Sequence, residues 1–580
     1  GAVYQAYFFP EEFYTSSGSL TQVRWTGYLQ GLWVDSYGNL REDTNNDGNL
    51  IYADDNIIET CVDSLFQAKF IRYPDSNGDG RKNDVATALT CDSNGIDLRE
   101  MRGIWEGGKK LAMRNLTTKP RKIFTWVDLD NDGEVDTSEQ KDFVVGTGGL
   151  SDAEWRPYLQ GTATGTFTAT NIISYVHGTA VADMRNRTKP VAGESGTHVW
   201  RLGDIVNSTP TLVGPPQERF DVLYGDPGYR KYAQRWKNRR LTVYAGANDG
   251  MLHAFNGGYA HRGDNSAASS TAVEHGYYTT GPTANDSTKP DLGEELWAFI
   301  PYYLLPQLRW MAQEDYTHVS YVDLKAKATD VRIFSTSETG CTSVPIADTC
   351  IHPDGWGTIL IVGLRFGGSC GNCLAVSATN NGGPPLTYNA DFNNDGDVTD
   401  LNDTRTFYSG YIVLDVTDPD NPKVLNAFTS PSMGLTTGYP TVVRVSDKDD
   451  LKNDHSHATF YLVVGSGPHG YDGSAKTGAK MFAAELVLPG ASSRVLSTLP
   501  VLDDTSGSTG TAHASFMAHP ITYDRDLDFR SDAVYVGRSI APTGAHTAWW
   551  GKFYRLTMGI CDTNPCLPDT SSGTWGVPGK

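Results

Sequence analysis

LTVYAGANDGMLHAFNGG, Leu241 to Gly258, is the stretch whose reading decides the fold. Two runs of β-branched and aromatic residues flank Asn248-Asp249-Gly250, and an Asp-Gly turn between alternating strands is a strong hairpin signal. Outward from it the same grammar returns. TILIVGLRFGG (358–368) is followed, after a long insertion, by GYIVLDVTDPDNP (410–422); TFYLVVGSGPHG (459–470) precedes AKMFAAELVLPG (479–490), and AVYVGRSI (533–540) precedes WWGKFYRLTM (549–558). WTGYLQGLWVDSYGNL (25–40) reads as a lone hairpin of the same kind. Units too small to bury their own faces, recurring every ~40–100 residues, are the signature of a β-propeller with elaborated blades. A β-sandwich would account for the strands but not for the repeated hairpins. The expectation is therefore an all-β chain with few helices, SLFQAKF (64–70) and DAEWRPYLQG (152–161) being the short ones.

Four acidic loops interrupt this pattern. DLDNDGEVDTSE places Asp128, Asp130, Asp132, Asp136 and Glu139 at the first, third, fifth, ninth and twelfth positions of a loop, with Gly133 at the sixth and the Glu134 carbonyl at the seventh. Calcium takes about six to eight oxygens, and this spacing wraps them round one point. DTNNDGNLIYAD repeats it with Asp43, Asn45, Asp47, the carbonyl of Asn49 and a closing Asp54. DFNNDGDVTDLND keeps Asp391, Asn393, Asp395 and Asp397 but has Thr399 at the ninth position, so Asp400 or Asp403 must close it. DSNGDGRKND supplies Asp75, Asn77 and Asp79, then Arg81 and Lys82 where further oxygens would help, leaving Asn83 or Asp84. An EF-hand proper would lie between amphipathic helices. The flanks RKIFTWV and QKDFVVGTGG read as strands instead, so two to four structural calcium ions are expected, tying down long surface connections.

Residues 1–195 read as the first propeller strands plus a large insertion holding three of these loops, and residues 196–580 as the remaining blades of the same domain. The net charge is −20, which disfavours nucleic acid and anionic membrane as partners. No apolar run is long enough to span a bilayer, and GAVYQAYFFPEE lacks the pattern of a signal peptide, as expected of a mature or processed chain. Eight cysteines fall into near pairs, Cys61 with Cys91, Cys341 with Cys350, Cys370 with Cys373 and Cys561 with Cys566, which reads as local disulfides formed in an oxidising compartment. Cys370-Gly-Asn-Cys373 could alternatively be redox-active or half of a zinc site, though no second such pair accompanies it.

RLGDIVNSTPTLVG (201–214), DVLYGDP and VYAGANDGMLHAFN, together with WTGYLQGLWVDSYGNLRED, ELWAFIP (295–301) and YIVLDVTDP (411–419), resemble the carboxy-terminal propeller of the PilY/PilC family of type IV pilus tip-associated adhesins and biogenesis factors. The resemblance implies about seven blades, export to the cell surface at the pilus tip, and minor and major pilins as partners. It implies attachment to host or abiotic surfaces, and calcium in a propeller loop that tunes pilus extension and retraction. That loop matches Asp391, Asn393, Asp395 and Asp397, with Thr399 departing from the family's acidic residue. A von Willebrand A-like domain is expected upstream.

Other motifs bear on this reading. Arg262-Gly263-Asp264 could be an adhesion tripeptide on an exposed loop. His455 and His457 could share a metal but read more simply as a turn. The rival classes are a quinoprotein-like dehydrogenase, with pyrroloquinoline quinone beside calcium, and a carbohydrate-binding propeller. Dehydrogenases of that group usually carry adjacent cysteines, and none occur here. HExxH, G-x-S-x-G and phosphate-loop signatures are also absent, so the expected action is binding rather than catalysis. Pilins adding a strand to an exposed sheet edge would leave little side-chain signature.

Overall fold

The computed structural model describes residues 1–557, apart from residues 17, 86, 267–272, 344, 378, 380–383, 446–457, 476–477, 492–494, 498–513 and 543–546. The chain is mostly β, with short helices between sheets that follow one another along the sequence. Its deciding hairpin forms as read: Leu241–Gly246 pairs antiparallel with Leu252–Arg262. Gly250 takes the left-handed φ of +93° that the turn needs. Both strands join a seven-stranded sheet with Thr211–Val213, Glu295–Phe299 and Gly276–Thr279. The remaining two strands, Ile123–Trp126 and Gln140–Asp142, come from the predicted insertion, the former pairing in parallel with Glu295–Phe299. That part of the insertion is thus built into the sheet.

Three four-stranded antiparallel sheets follow. One contains Lys327–Arg332, Trp356–Gly363, Tyr411–Asp415 and Lys423–Phe428, in that order. All eight residues of Trp356–Gly363 are buried, as expected of a central strand covered on both faces. The next contains Thr441–Val445, Thr459–Gly465, Met481–Glu485 and Val495–Ser497, and the last is centred on Ala533–Ile540. Among the described residues there are five sheets of four or more strands and two two-stranded ribbons, so seven separate blades are not traced. The ribbon Leu386–Asn389 with Thr404–Phe407 carries the Asp391 loop at its tip.

The amino-terminal sheet corrects two readings. Ser19–Val34 does turn into Leu40–Arg41, but it also pairs along Ala2–Ser16, so the hairpin lies inside a seven-stranded sheet with Ala2–Ser16 at its edge. AVYQAYFFPEEFYTS hides this strand because Pro10 interrupts its alternation; the register passes from Phe9 opposite Thr26 to Glu11 opposite Arg24, where Trp25 adopts a φ of +58°. SLFQAKF is not a helix. The Asp63 carboxylate accepts the amides of Leu65 and Gln67 to close a turn, and Ala68–Tyr73 then continues as a strand beside Ile57–Val62. DAEWRPYLQG is a helix over Asp152–Leu159, started by a Ser151/Glu154 capping box. Sequence reading missed the helices Ala169–His177 and Pro227–Arg235, although Thr168 and Asp226 cap them in the usual way. No helix among the described residues is long and apolar enough to cross a membrane.

Disulfides join Cys61 to Cys91, Cys341 to Cys350 and Cys370 to Cys373. Cys561, Cys566, His455 and His457 lie outside the described residues.

Candidate metal-binding loops

All four acidic loops share one backbone device. The first-position aspartate reaches back over the turn: Asp43 accepts the amides of Asp47 and Gly48, Asp75 those of Asp79 and Gly80, Asp391 those of Asp395 and Gly396, and Asp128 that of Gly133. The fifth-position aspartate accepts the seventh residue's amide, as between Asp132 and Glu134 at 2.8 Å. Positions four and six are left-handed in every loop, for example Asn131 at +64° and Gly133 at +79°. This is why glycine, with no Cβ to clash, stands at the sixth position.

Closure separates the loops. Glu139 is buried and accepts the amides of Leu129 and Asp136, so its carboxylate spans the loop, and oxygens of Asp128, Asp130 and Glu139 lie within 4.8 Å of one another. Asp128 Oδ1 is buried with no hydrogen bond. Burial pushes the Asp128 carboxyl up to about 6 and Glu139 up to about 7. In the Asp391 loop the closing residue is Asp403, which is fully buried with Oδ1 unpartnered, and its oxygens converge with those of Asp391 and Asp395. Asp400 instead caps the short turn Leu401–Asp403, and the Asp397 carboxylate is turned to Thr399.

In the first loop the predicted closer Asp54 is exposed, and the neighbouring Asp55 takes its place. Asp55 is buried and accepts the amides of Thr44 and Ile51, the same pair of positions that Glu139 serves. Ile51 and Tyr52 are buried in the core, and the turn that follows them faces Asp55 inward and leaves Asp54 exposed. The Asp75 loop already holds a cation: Arg41, itself fully buried, pairs with both Asp75 and Asp35, while Asp84 accepts the amides of Ser76 and Asn77.

A fifth loop escaped the sequence reading. Asp524, Asp526 and Asp532 bring oxygens within 4.8 Å of one another, and the Asp524 side chain is 6% exposed with Oδ1 unpartnered. Asp528 accepts the Arg530 amide, as the fifth-position aspartates of the other loops do, and Asp532, at the ninth position, accepts that of Arg525. Leu527 and Phe529 are left-handed at +59° and +75°, the fourth and sixth positions. The missing signal is the glycine. Phe529 replaces it and is buried against Phe220, Tyr224 and Trp356. A bulky left-handed residue costs about 1–3 kcal/mol, and burying the ring more than offsets this. Phe529→Ala is accordingly expected to lower stability by about 3–5 kcal/mol in denaturant titration, whereas a glycine-like gain would disprove the anchoring role.

Arg262-Gly263-Asp264 lies at the exposed end of the strand Leu252–Arg262, with Asp264 accepting the Glu274 amide.

Comparison with known proteins places the chain. No protein-family profile matches it. It is 25% identical over 303 residues to a type IV pilus biogenesis factor PilY1 homolog of Xylella fastidiosa, and 23% identical over 377 residues to the type IV pilus biogenesis factor PilY1 of Pseudomonas aeruginosa strain PAK. The chain is thus similar to PilY1 proteins over about half to two thirds of its length. The matches cover 51% and 63% of the chain but only 16% and 22% of those PilY1 proteins. A crystal structure of the P. aeruginosa PilY1 C-terminal domain matches 63% of the chain and 50% of its own, at 19% identity and a TM-score of 0.31. The calcium that PilY1 resemblance implies suits these loops chemically. Two of them, closed by Glu139 and Asp403, present hard oxygen donors together with a buried carboxylate oxygen that no protein group satisfies, on Asp128 and on Asp403, and such an oxygen suits a cation; the Asp524 loop has an unpartnered Oδ1 too, but its Oδ2 already meets Arg444 at 3.3 Å and the Tyr224 hydroxyl.

Proposed function

We propose that this chain is the calcium-braced β-propeller portion of a type IV pilus biogenesis factor. On this reading it is exported, resides at the pilus tip with minor and major pilins, mediates surface attachment and tunes pilus extension and retraction. The observation that carries the reading is the 23–25% identity to proteins named as PilY1 biogenesis factors, spread over 303–377 residues rather than confined to one motif. The run of antiparallel sheets supports the propeller, and the convergent acidic loops support calcium. The chain's action is binding and assembly. Calcium, when bound, neutralises the carboxylates of Asp128 and Asp403 and fixes the loops that hold them.

The test is genetic. In the organism that encodes the chain, deleting the gene is expected to abolish surface pili and pilus-driven motility, with restoration by the intact gene. Unchanged piliation in the deletion strain would overturn the reading.

A further inference from the structure

A cavity of about 650 Å³ opens where connections from successive sheets meet, drawing residues from near positions 207, 325, 365, 439, 471 and 519. Its chemistry is opposite to that of the molecule. The chain carries 68 acidic and 48 basic residues, yet Lys325, Arg365 and His519 line this cavity and no Asp or Glu does. Such a site concentrates anions against a surface that otherwise repels them.

Lys325 is the uncommitted cation, and Arg365 is held only loosely. Lys325 is exposed and forms no ion pair among the described residues. The Arg365 guanidinium lies 3.5 Å from Asp323, which is itself occupied by the amide and side-chain nitrogens of Asn207, and Arg365 Nη1 has no hydrogen bond. Arg365 is held in a left-handed conformation, φ +55°, by the Thr436 hydroxyl accepting its amide, an unfavourable geometry of the kind that collects at ligand sites. His519 Nδ1 accepts the Tyr439 amide at 2.7 Å, so its proton sits on Nε2 as a donor. Lys327 lies 5.3 Å from the Tyr439 ring centre without lining the cavity itself.

Phe366, Tyr439 and Phe516 supply flat apolar walls, and Thr437 and Tyr471 supply hydroxyls. Aromatic faces with a few convergent polar groups, in a cavity of this volume, suit one or two sugar rings better than a bare inorganic anion. We propose that this cavity binds an acidic saccharide, its carboxylate taken by Lys325 and Arg365 and its ring packed against Tyr439. The proposal deepens the attachment reading above by naming the ligand class.

The experiment is calorimetric titration of the calcium-saturated full chain, at physiological salt, with di- and trigalacturonate and with neutral galactose oligomers of equal length. The acidic sugars are expected to bind at least about tenfold more tightly than the neutral ones, and Lys325→Gln to weaken only the acidic sugars by about fivefold with an unchanged melting temperature. Tyr439→Ala is expected to weaken both. Equal binding of acidic and neutral sugars, no binding of either at millimolar concentration, or binding of an oligoglutamate peptide in place of galacturonate would overturn the proposal. Piliation of the deletion strain is independent of these outcomes, so failure here and failure of the pilus assignment are distinguishable.

Discussion

His253→Ala is expected to destabilise the protein by about 3–5 kcal/mol, because it strips the shared partner from two buried carboxylates. His253 is fully buried, with Nδ1 2.8 Å from Glu295 and Nε2 3.1 Å from Asp249, and Glu295 is further clamped by Arg121 at 2.7 Å. Burial by itself would push the imidazole down; Asp249 and Glu295 outweigh it and hold the group up at about 9. Against its burial, Arg121 and the protonated His253 hold Glu295 well below the usual carboxylate range. A histidine raised in the folded state contributes stability that is fully present below its unfolded pKa of about 6.5 and is lost as pH rises through about 9. The wild-type protein should therefore lose up to about 3 kcal/mol between those pH values, and His253→Ala should flatten that part of the curve. Denaturant titrations of both proteins across pH 6–10 would check this; parallel curves would show that the imidazole is neutral in the fold. The residue belongs to NDGMLHAFN, so the turn that decides the fold also carries the charge cluster that locks it to Glu295 of the next strand.

The second large effect concerns calcium. Metal-stripped protein is expected to gain stability on calcium addition, by about 2.7 kcal/mol for each loop once the free ion reaches a hundred times its dissociation constant. Extracellular modules bind with constants of about 10⁻⁴–10⁻³ M, so roughly 10 mM calcium approaches that condition for the tighter loops. Asp128→Asn and Asp403→Asn should each remove one loop's share, since each deletes charge from a convergent set. Asp54→Asn should change nothing, while Asp55→Asn should abolish whatever its loop contributes, because only Asp55 points inward. Elemental analysis with matched unfolding curves in calcium and in chelator is the measurement. Identical midpoints in the two conditions would reduce every one of these loops to a hydrogen-bonded acidic turn.

Much of the local structure was legible in the residues alone. Alternation around Asn248-Asp249-Gly250 specifies a hairpin wherever it is placed, because side chains alternate across a strand and glycine alone takes the turn without strain. Three cysteine pairings, close in sequence and bracketing loops, were equally readable. The first-half spacing of the acidic loops was visible for the same reason: a six-residue turn satisfies its own amides through its own aspartates.

What only the tertiary structure decided is how each loop closes and what it closes upon. Asp54 and Asp55 are indistinguishable in composition and in spacing to within one residue, and the choice falls to Asp55 because Ile51 and Tyr52 are drawn into the core beside it. Asp75 meets Arg41 across 34 positions of sequence, a neutralisation that no local pattern announces. The Asp524 loop was hidden because Phe529 stands where glycine is expected, and the left-handed backbone is held there by aromatic packing from residues 220 to 356. Local hydrogen bonding is encoded over a few residues and survives any context. Burial, which selects the closing carboxylate and supports strain, depends on elements brought together from distant parts of the chain, and so becomes visible only when they are folded.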